Sequence, residues 1–281
     1  MIISTAIAAT VINVASFNLR FDVAKDTGDN AWEVRRPRVV SVIKSGGFDI
    51  IGFQELSKTM RPGFLPLIDG YRVSDEGMAQ TMVPIAYRKD RFELVEAGRF
   101  ALAENTNDFK NACWEASSHR SGEWVLLKER ESGRLIRVFN SHPDWKSQKA
   151  RSLGMEKVIV RLAKAAEARG EFAIITGDMN EDPGIPRPKY TPEDPEHPWG
   201  EGIDIAKRSF DDAYDRAKSR SGTESSCHGF KNKDCGRIDR IFLPKGTKVL
   251  SYTTHNDRPG GGYPSDHDAI SARIAIDEGD R

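Results

Sequence analysis

Cysteine is scarce, with 3 in a chain of 281 residues. That is too few for a disulfide framework, and no C-x-x-C spacing offers structural zinc a site. Cys227 and Cys235 either pair across a loop or stay as two ordinary thiols. The apolar run from Ile2 to Ile12 is far too short to span a bilayer, and no Lys or Arg precedes it as in an export signal. It reads either as the first strand with a loose extension over residues 1–10 or as a signal-peptide remnant, which leaves the compartment, exported or cytoplasmic, open. An excess charge of one sign is also missing. The 42 basic and 42 acidic residues cancel, which excludes a bulk nucleic-acid coat held by a global positive field. No Gly, Ser or Pro linker divides the chain and no repeat recurs, so residues 11–281 read as one domain with a core large enough to need no staples.

What the chain does contain is a series of short β-type runs: Val11–Leu19, Asp49–Phe53, Met82–Tyr87, Phe92–Ala97, Glu123–Leu127, Leu135–Asn140, Phe172–Thr176, Ile238–Leu243, Lys248–Thr253 and Ala269–Ile276. They are rich in Val, Ile, Phe and Tyr, and Gly, Asp, Asn or Pro bound them, which predicts strands. Helical spacing is clearest in Ser147–Arg169, where Met155, Val158, Ile159, Leu162, Ala163 and Ala166 share one face and Gly170 stops the pattern. Trp32–Ser45 and Asp211–Lys218 also read as helical. A tight turn at Glu131-Ser132-Gly133 implies an antiparallel pair, while helices among the strands need sheet faces to cover. The expectation is a layered α/β fold with mixed sheets. Six prolines fall between Asp182 and Gly202, which forbids regular structure there and predicts a long surface loop beside a strand end.

Residues capable of metal or acid–base work cluster at those strand ends. Asn18 closes the first run, Glu55 follows Ile50-Ile51-Gly52-Phe53-Gln54, and His142 and Asp144 follow Val138-Phe139-Asn140-Ser141. Asp178 and Asn180 follow Ala173–Gly177, Asp239 sits between Ile238 and Ile241, and Asp266 and His267 precede the last run. A lone acid past a strand is ordinarily a turn or a helix cap. Repetition at six strand ends is the stronger signal, because rigid sheets place active sites in the loops that leave them. Asp239 stands out: a carboxylate in a buried strand needs a partner, and histidine is a natural one, although Arg237 or Arg240 would also serve. The inventory is oxygen-rich with two histidines and no cysteine, which suits Mg²⁺ or Mn²⁺.

Six segments in order carry a family resemblance: Ser16–Asp22, Asp49-Ile50-Ile51-Gly52-Phe53-Gln54-Glu55, Asn140-Ser141-His142-Pro143-Asp144, Thr176-Gly177-Asp178-Met179-Asn180, Arg237-Ile238-Asp239-Arg240-Ile241-Phe242 and Tyr263-Pro264-Ser265-Asp266-His267. Together they resemble the motifs of the endonuclease/exonuclease/phosphatase superfamily from Ala15 to about Ile276. The resemblance implies an α/β four-layer α/β/β/α sandwich of two mixed β-sheets, with the site at one end. It implies a metal-dependent phosphoric ester hydrolase in which Glu55 binds a divalent ion with Asn18 and Asp266 nearby. Asp178, helped by Asn180, would orient or deprotonate the attacking water. His267, held by Asp239, would face the phosphoryl oxygens, and His142 would bind phosphate or protonate the leaving oxygen.

Phosphoester hydrolysis needs a nucleophilic water, a charge sink for the phosphoryl oxygens and help for the leaving alkoxide, and these residue types supply all three. The chain departs from the family pattern where many relatives carry a Glu that holds the first histidine. It has Ala79-Gln80-Thr81-Met82 there, leaving Glu76 or Gln80 as candidate partners of His142. Asp144 and Trp145 extend the His142 motif, and Trp145 is either a stacking surface for a sugar or base or a structural side chain. Arg120 is either a phosphate contact or a solvated surface group. For the substrate, the basic groups Lys231, Lys233, Arg237 and Arg240 and Arg35, Arg36 and Arg38 form no long stripe, and no hydrophobic hairpin suits membrane docking. The expectation is a small phosphorylated molecule; a nucleic acid substrate, or a catalytically silent phospho-ligand-binding member, is the alternative.

Overall fold

The structure, a computed structural model, describes residues 9–231 and 233–277. Most of the expected N-terminal extension lies outside the described residues, and the first strand begins at Thr10. In chain order the strands are β1 (Thr10–Asn18), β2 (Ile50–Gln54), β3 (Tyr71–Val73), β4 (Ile85–Arg88), β5 (Phe92–Ala101), β6 (Ser121–Glu129), β7 (Leu135–Ser141), β8 (Phe172–Asp178), β9 (Phe210–Asp212), β10 (Arg220–Ser221), β11 (Asp239–Pro244), β12 (Lys248–His255) and β13 (Ala269–Ile276). The first sheet runs β10-β12-β13-β1-β2-β4-β3 and the second β5-β6-β7-β8-β11-β9. Both are mixed: β1 and β2 are parallel, as are β7 and β8, while β13 runs antiparallel to β1 and β11 to β8.

Side-chain alternation along the strands builds the layers. Val14, Ile50, Val138, Ile174 and Ile241 pack between the two sheets. Their chain neighbours Ala15 and Ile51 turn outward to meet helix α1 (Trp32–Gly46), which buries Val39, Val40 and Ile43. Phe139, Ile175 and Phe242 turn outward on the other side, against Met155, Val158, Ile159 and Ala163. The result is the expected four-layer sandwich. Every strand position in the middle of the molecule is buried on one apolar face or the other, which is why those runs read as continuous rather than alternating hydrophobes.

The long helical segment begins where Ser147 accepts a hydrogen bond from the amide of Ala150, 3.1 Å. It runs as α2 (Gln148–Gly154), a π-helical stretch Met155–Val160 and α3 (Arg161–Glu167), so the single predicted helix carries a widened turn in its middle. Past the proline-rich loop comes α4 (Glu201–Ser209). The helix expected over Asp211–Lys218 is corrected: Phe210–Asp212 pairs with β11 as an edge strand, and only Ala213–Arg216 (α5) is helical. The cause is Asp212, whose carboxylate caps α5 through the amide of Tyr214 and simultaneously takes two arginines from β11 and the loop before it. Tertiary pairing outweighs local helix propensity there.

The sheets are pinned together at one end by a polar network. Asn140 on β7 donates to the carbonyl of Phe53 on β2 at 2.6 Å, and its Oδ1 accepts from Gln54 at 2.8 Å and Thr176 at 3.0 Å. A Cβ at Gly52 would overlap Thr176 Oγ1 and Asn140 Oδ1, so only glycine lets the sheets close on this network.

Candidate active site

Strand direction explains why six distant segments meet. The parallel pairs send the C-termini of β1 and β2, and of β7 and β8, to one end, while the antiparallel β11 and β13 begin there. Asn18, Glu55, His142, Asp178, Asp239, Asp266 and His267 all lie on those termini or the loops next to them. The two sheets are bridged directly: Asn18 Nδ2 on β1 donates to Asp178 Oδ2 on β8 at 2.9 Å, and Asp178 lies opposite Asp239 across the β8–β11 ladder.

Asp178 is the hub. Its Oδ1 accepts from the amide of Asn180 at 2.9 Å, and its Oδ2 lies 3.4 Å from His142 Nε2 and 3.8 Å from His267 Nε2. Burial opposes ionisation, yet the two imidazoles and the donors from Asn180 and Asn18 hold its carboxyl below the usual range. His267 Nδ1 meets Asp239 Oδ2 at 2.8 Å. Burial disfavours charge on the ring, but Asp239 and then Asp178 raise it well above the ordinary histidine value. Burial also raises Asp239. A single proton satisfies both partners, and Asp178 on the far side of the ring favours placing it on the imidazole.

Glu55 and Asn180 both hold positive φ, 61° and 54°, a region costly for side chains with a Cβ and most often tolerated at functional positions. Glu55 Oε2 accepts from the amide of Phe21 at 2.9 Å, and Oε1 from Asn18 Nδ2 at 3.3 Å. Asp266 lies 3.7 Å from Arg20 Nε, and Arg20 is held at 2.7 Å by Asp26. The fully buried Arg35 ties the neighbouring loops together, donating to the carbonyls of Leu19, Arg20, Asn30 and Pro264. Arg35, one of the basic groups weighed for a nucleic acid substrate, is thus an interior post with four carbonyl acceptors and a face on Trp32.

Asp144, Arg120 and Trp145 group around the loop that leaves β7. Asp144 is buried, with Oδ2 taking the amide and hydroxyl of Ser117 and Arg120 Nε, and Oδ1 taking the amides of Lys146 and Ser147. It holds the loop rather than facing solvent, and Arg120 is tied to it at 3.2 Å. Trp145 is exposed beside them. Arg237 and Arg240 do not pair with Asp239: both reach Asp212 at 2.7 Å, and Arg240 also reaches Asp182 at 2.9 Å. These ion pairs are buried, so of Lys231, Lys233, Arg237 and Arg240 the two arginines offer no free surface charge.

Sequence reading missed Ser226, whose hydroxyl donates to Asp239 Oδ2 at 2.7 Å and accepts from the Asp239 amide at 3.1 Å. The next residue, Cys227, is disulfide-bonded to Cys235 and forms a β-bridge with His267. A serine thirteen residues from its aspartate in an irregular loop leaves no periodic signal; the cysteine spacing was the only hint.

Glu76 and Gln80, the candidate partners of His142, are exposed, and its charged neighbour is Asp178. The carboxylate that their segment encloses is Glu123 on β6, which accepts from the hydroxyls of Ser74 and Thr81. Burial pushes this carboxyl from 4.5 up to about 7, against the pull of the two hydroxyls. The folded state therefore holds the Glu123 proton more tightly than the unfolded chain, and its contribution to stability is lost as pH rises from about 4.5 to 7. Over that range the loss is about 3 kcal/mol. Glu123→Gln is expected to flatten the fall in unfolding free energy between pH 5 and pH 8 by about 2 kcal/mol in urea titrations. Identical pH slopes in the two proteins would refute the assignment.

Strand termini from two facing sheets of an α/β sandwich converge on a buried carboxylate flanked by two imidazoles. The chain belongs to the endonuclease/exonuclease/phosphatase family, whose model matches residues 15–267. Among solved structures it is similar to a family member from Bacteroides vulgatus, 27% identical with a TM-score of 0.81 over 95% of this chain and 100% of that one. A mannosyl-6-phosphatase from Bacteroides thetaiotaomicron is 26% identical, TM-score 0.79, over 94% and 99%. The catalytic domain of human Nocturnin shares the fold at 18% identity, TM-score 0.66, over 96% and 95%. No curated protein matches the sequence.

Proposed function

We propose that this protein is a divalent-metal-dependent phosphoesterase that hydrolyses a small phosphorylated molecule through an activated water. The observation that carries the reading is Asp178, a buried carboxylate held ionised between His142 and His267 where two sheets converge. Asp178 accepts a hydrogen bond from the water and takes its proton as the new O–P bond forms, while the ester P–O bond breaks. The imidazolium of His267, steadied by Asp239, donates to the phosphoryl oxygens as their charge grows. His142 faces the same carboxylate and protonates the leaving oxygen.

The donor set fits a hard cation. Glu55 and Asp266 offer carboxylate oxygens and Asn18 a carbonyl oxygen at one rim, the one-or-two-carboxylate pattern that Mg²⁺ or Mn²⁺ takes alongside water and substrate phosphate. Asp178, Asp239 and His267 are also close enough together to hold an ion. His267 Nδ1 and Asp239 Oδ2 are spent on each other, so Glu55 and Asp266 are the better-suited oxygens. A bound ion would neutralise phosphoryl charge as a Lewis acid.

A small substrate is supported by the burial of Arg35, Arg237 and Arg240, which removes the basic groups a polyanion would track. The similarity to a mannosyl-6-phosphatase points the same way. The test is hydrolysis of a hexose phosphate, a chromogenic phosphodiester and plasmid DNA, each with Mg²⁺, Mn²⁺ or chelator. We expect monoester turnover that chelator lowers at least about 100-fold and added Mg²⁺ restores. Turnover indifferent to chelator, or DNA as the preferred substrate, would refute the reading.

A further inference from the structure

Among the described residues, three large aromatic side chains are exposed, Phe21, Trp145 and Tyr190, and all three stand on loops that leave the site's strands. Two of them meet. Trp145, 43% exposed, and Tyr190, 57% exposed, put their ring centroids 5.3 Å apart at an interplanar angle of 51°. They come from different loops, Trp145 three residues after His142 and Tyr190 from the proline-rich segment that follows Asn180. Solvent exposure of so much apolar ring is costly, and near a reaction centre it marks a surface kept for a ligand.

The pair is held firmly from behind. The buried Thr191 sends its hydroxyl to the carbonyl of Trp145 at 3.4 Å, and Gln148 on α2 donates to the carbonyl of Pro192 at 2.8 Å. Proline fixes the φ of the flanking positions and lowers the entropy lost when a ligand orders the loop. The pair also adjoins the reaction centre: on the loop that carries Trp145, the carbonyl of Pro143 accepts from Asn180 Nδ2 at 3.1 Å, next to the strand end that holds Asp178.

We infer that Trp145 and Tyr190 form the subsite that receives the sugar ring of a hexose phosphate whose phosphoryl group lies at Asp178. This rests on the phosphoesterase reading above. The rings touch each other, so there is no slot of the two stacking distances, about 3.5 Å each, that sandwiching a flat base would take. What they present is a tilted apolar corner. A puckered pyranose, apolar on its C–H face and polar at its edge, matches that shape.

The experiment compares kcat and KM for mannose 6-phosphate, glycerol 3-phosphate and adenosine 5′-monophosphate in the wild type, Trp145→Ala, Tyr190→Ala and Trp145→Phe, with Mg²⁺ and thermal melts to confirm folding. In the alanine variants the ratio of kcat/KM for mannose 6-phosphate over glycerol 3-phosphate is expected to fall roughly five- to tenfold, the loss residing in KM. Trp145→Phe should recover most of it. An unchanged ratio in folded variants of an active enzyme would overturn the subsite alone, and so would a wild type that prefers the nucleotide. A wild type inactive on all three esters would overturn the phosphoesterase reading and the subsite with it.

Discussion

Asp178→Asn is expected to lower kcat about 10³–10⁴-fold while leaving divalent-ion affinity nearly unchanged. The amide has the shape of the carboxylate, and its carbonyl oxygen can still accept from the amide of Asn180, so the strand end keeps its geometry. What is lost is charge and one acceptor. Asn18 Nδ2 would face a second NH₂ group in a buried setting, and turning the Asn18 amide around would cost the bond its Oδ1 accepts from Arg20. That mismatch costs roughly 1–3 kcal/mol of stability, which a domain of this size survives. The chemical loss is larger because the amide takes no proton from water, and His142 and His267 lose the charge that faces them. Ion affinity should hold because Glu55 and Asp266 lie outside the substitution. Steady-state kinetics and Mn²⁺ titration by calorimetry check the two halves separately. Near-normal turnover would remove Asp178 from the reaction, and a matching collapse in ion affinity would make it a ligand instead.

The place of Asp178 is legible in the sequence, because it rests on residue types placed at strand ends, and strand ends are set by local pattern. The layers were readable for the same reason: Val138 and Phe139, or Ile174 and Ile175, are adjacent hydrophobes that only a doubly covered sheet can bury. The partners of buried charges were not readable. Arg240 finds Asp182 across 58 residues and Asp212 across 28, and nothing in either neighbourhood distinguishes them from solvated surface charges. Glu123 sits in a strand where an acid usually faces water, and its burial depends on Ser74 and Thr81 arriving from another part of the chain. Tyr190 lay inside a segment recognised only as proline-rich. Its meaning comes from Trp145, whose two possible roles the sequence left standing. Local spacing thus marks the groups proposed to do chemistry, while the groups that hold or frame them depend on contacts made only on folding.

Asp239→Asn is expected to lower kcat about 10²–10³-fold, because it removes the charge that keeps His267 an imidazolium. In the wild type, burial is opposed by Asp239 on one ring nitrogen and by Asp178 on the other. With the first carboxylate neutralised, burial has only Asp178 against it, and the ring shifts toward the neutral form, a poorer donor to a phosphoryl oxygen. The asparagine carbonyl can still accept from Nδ1, so orientation survives and the loss reports charge rather than position. Ser226→Ala is the companion measurement. It leaves the carboxylate in place and removes the hydroxyl that donates to Oδ2 and accepts from the Asp239 amide, so it should loosen the pair and cost less activity. Proton NMR of the His267 ring gives a readout independent of turnover: its titration should move to lower pH in Asp239→Asn and stay near the wild-type position in Ser226→Ala. If His267 titrated at the same pH in all three proteins, the imidazolium would owe nothing to Asp239. The pair would then be a structural contact, and the charge on the phosphoryl group would have to be met elsewhere in the site.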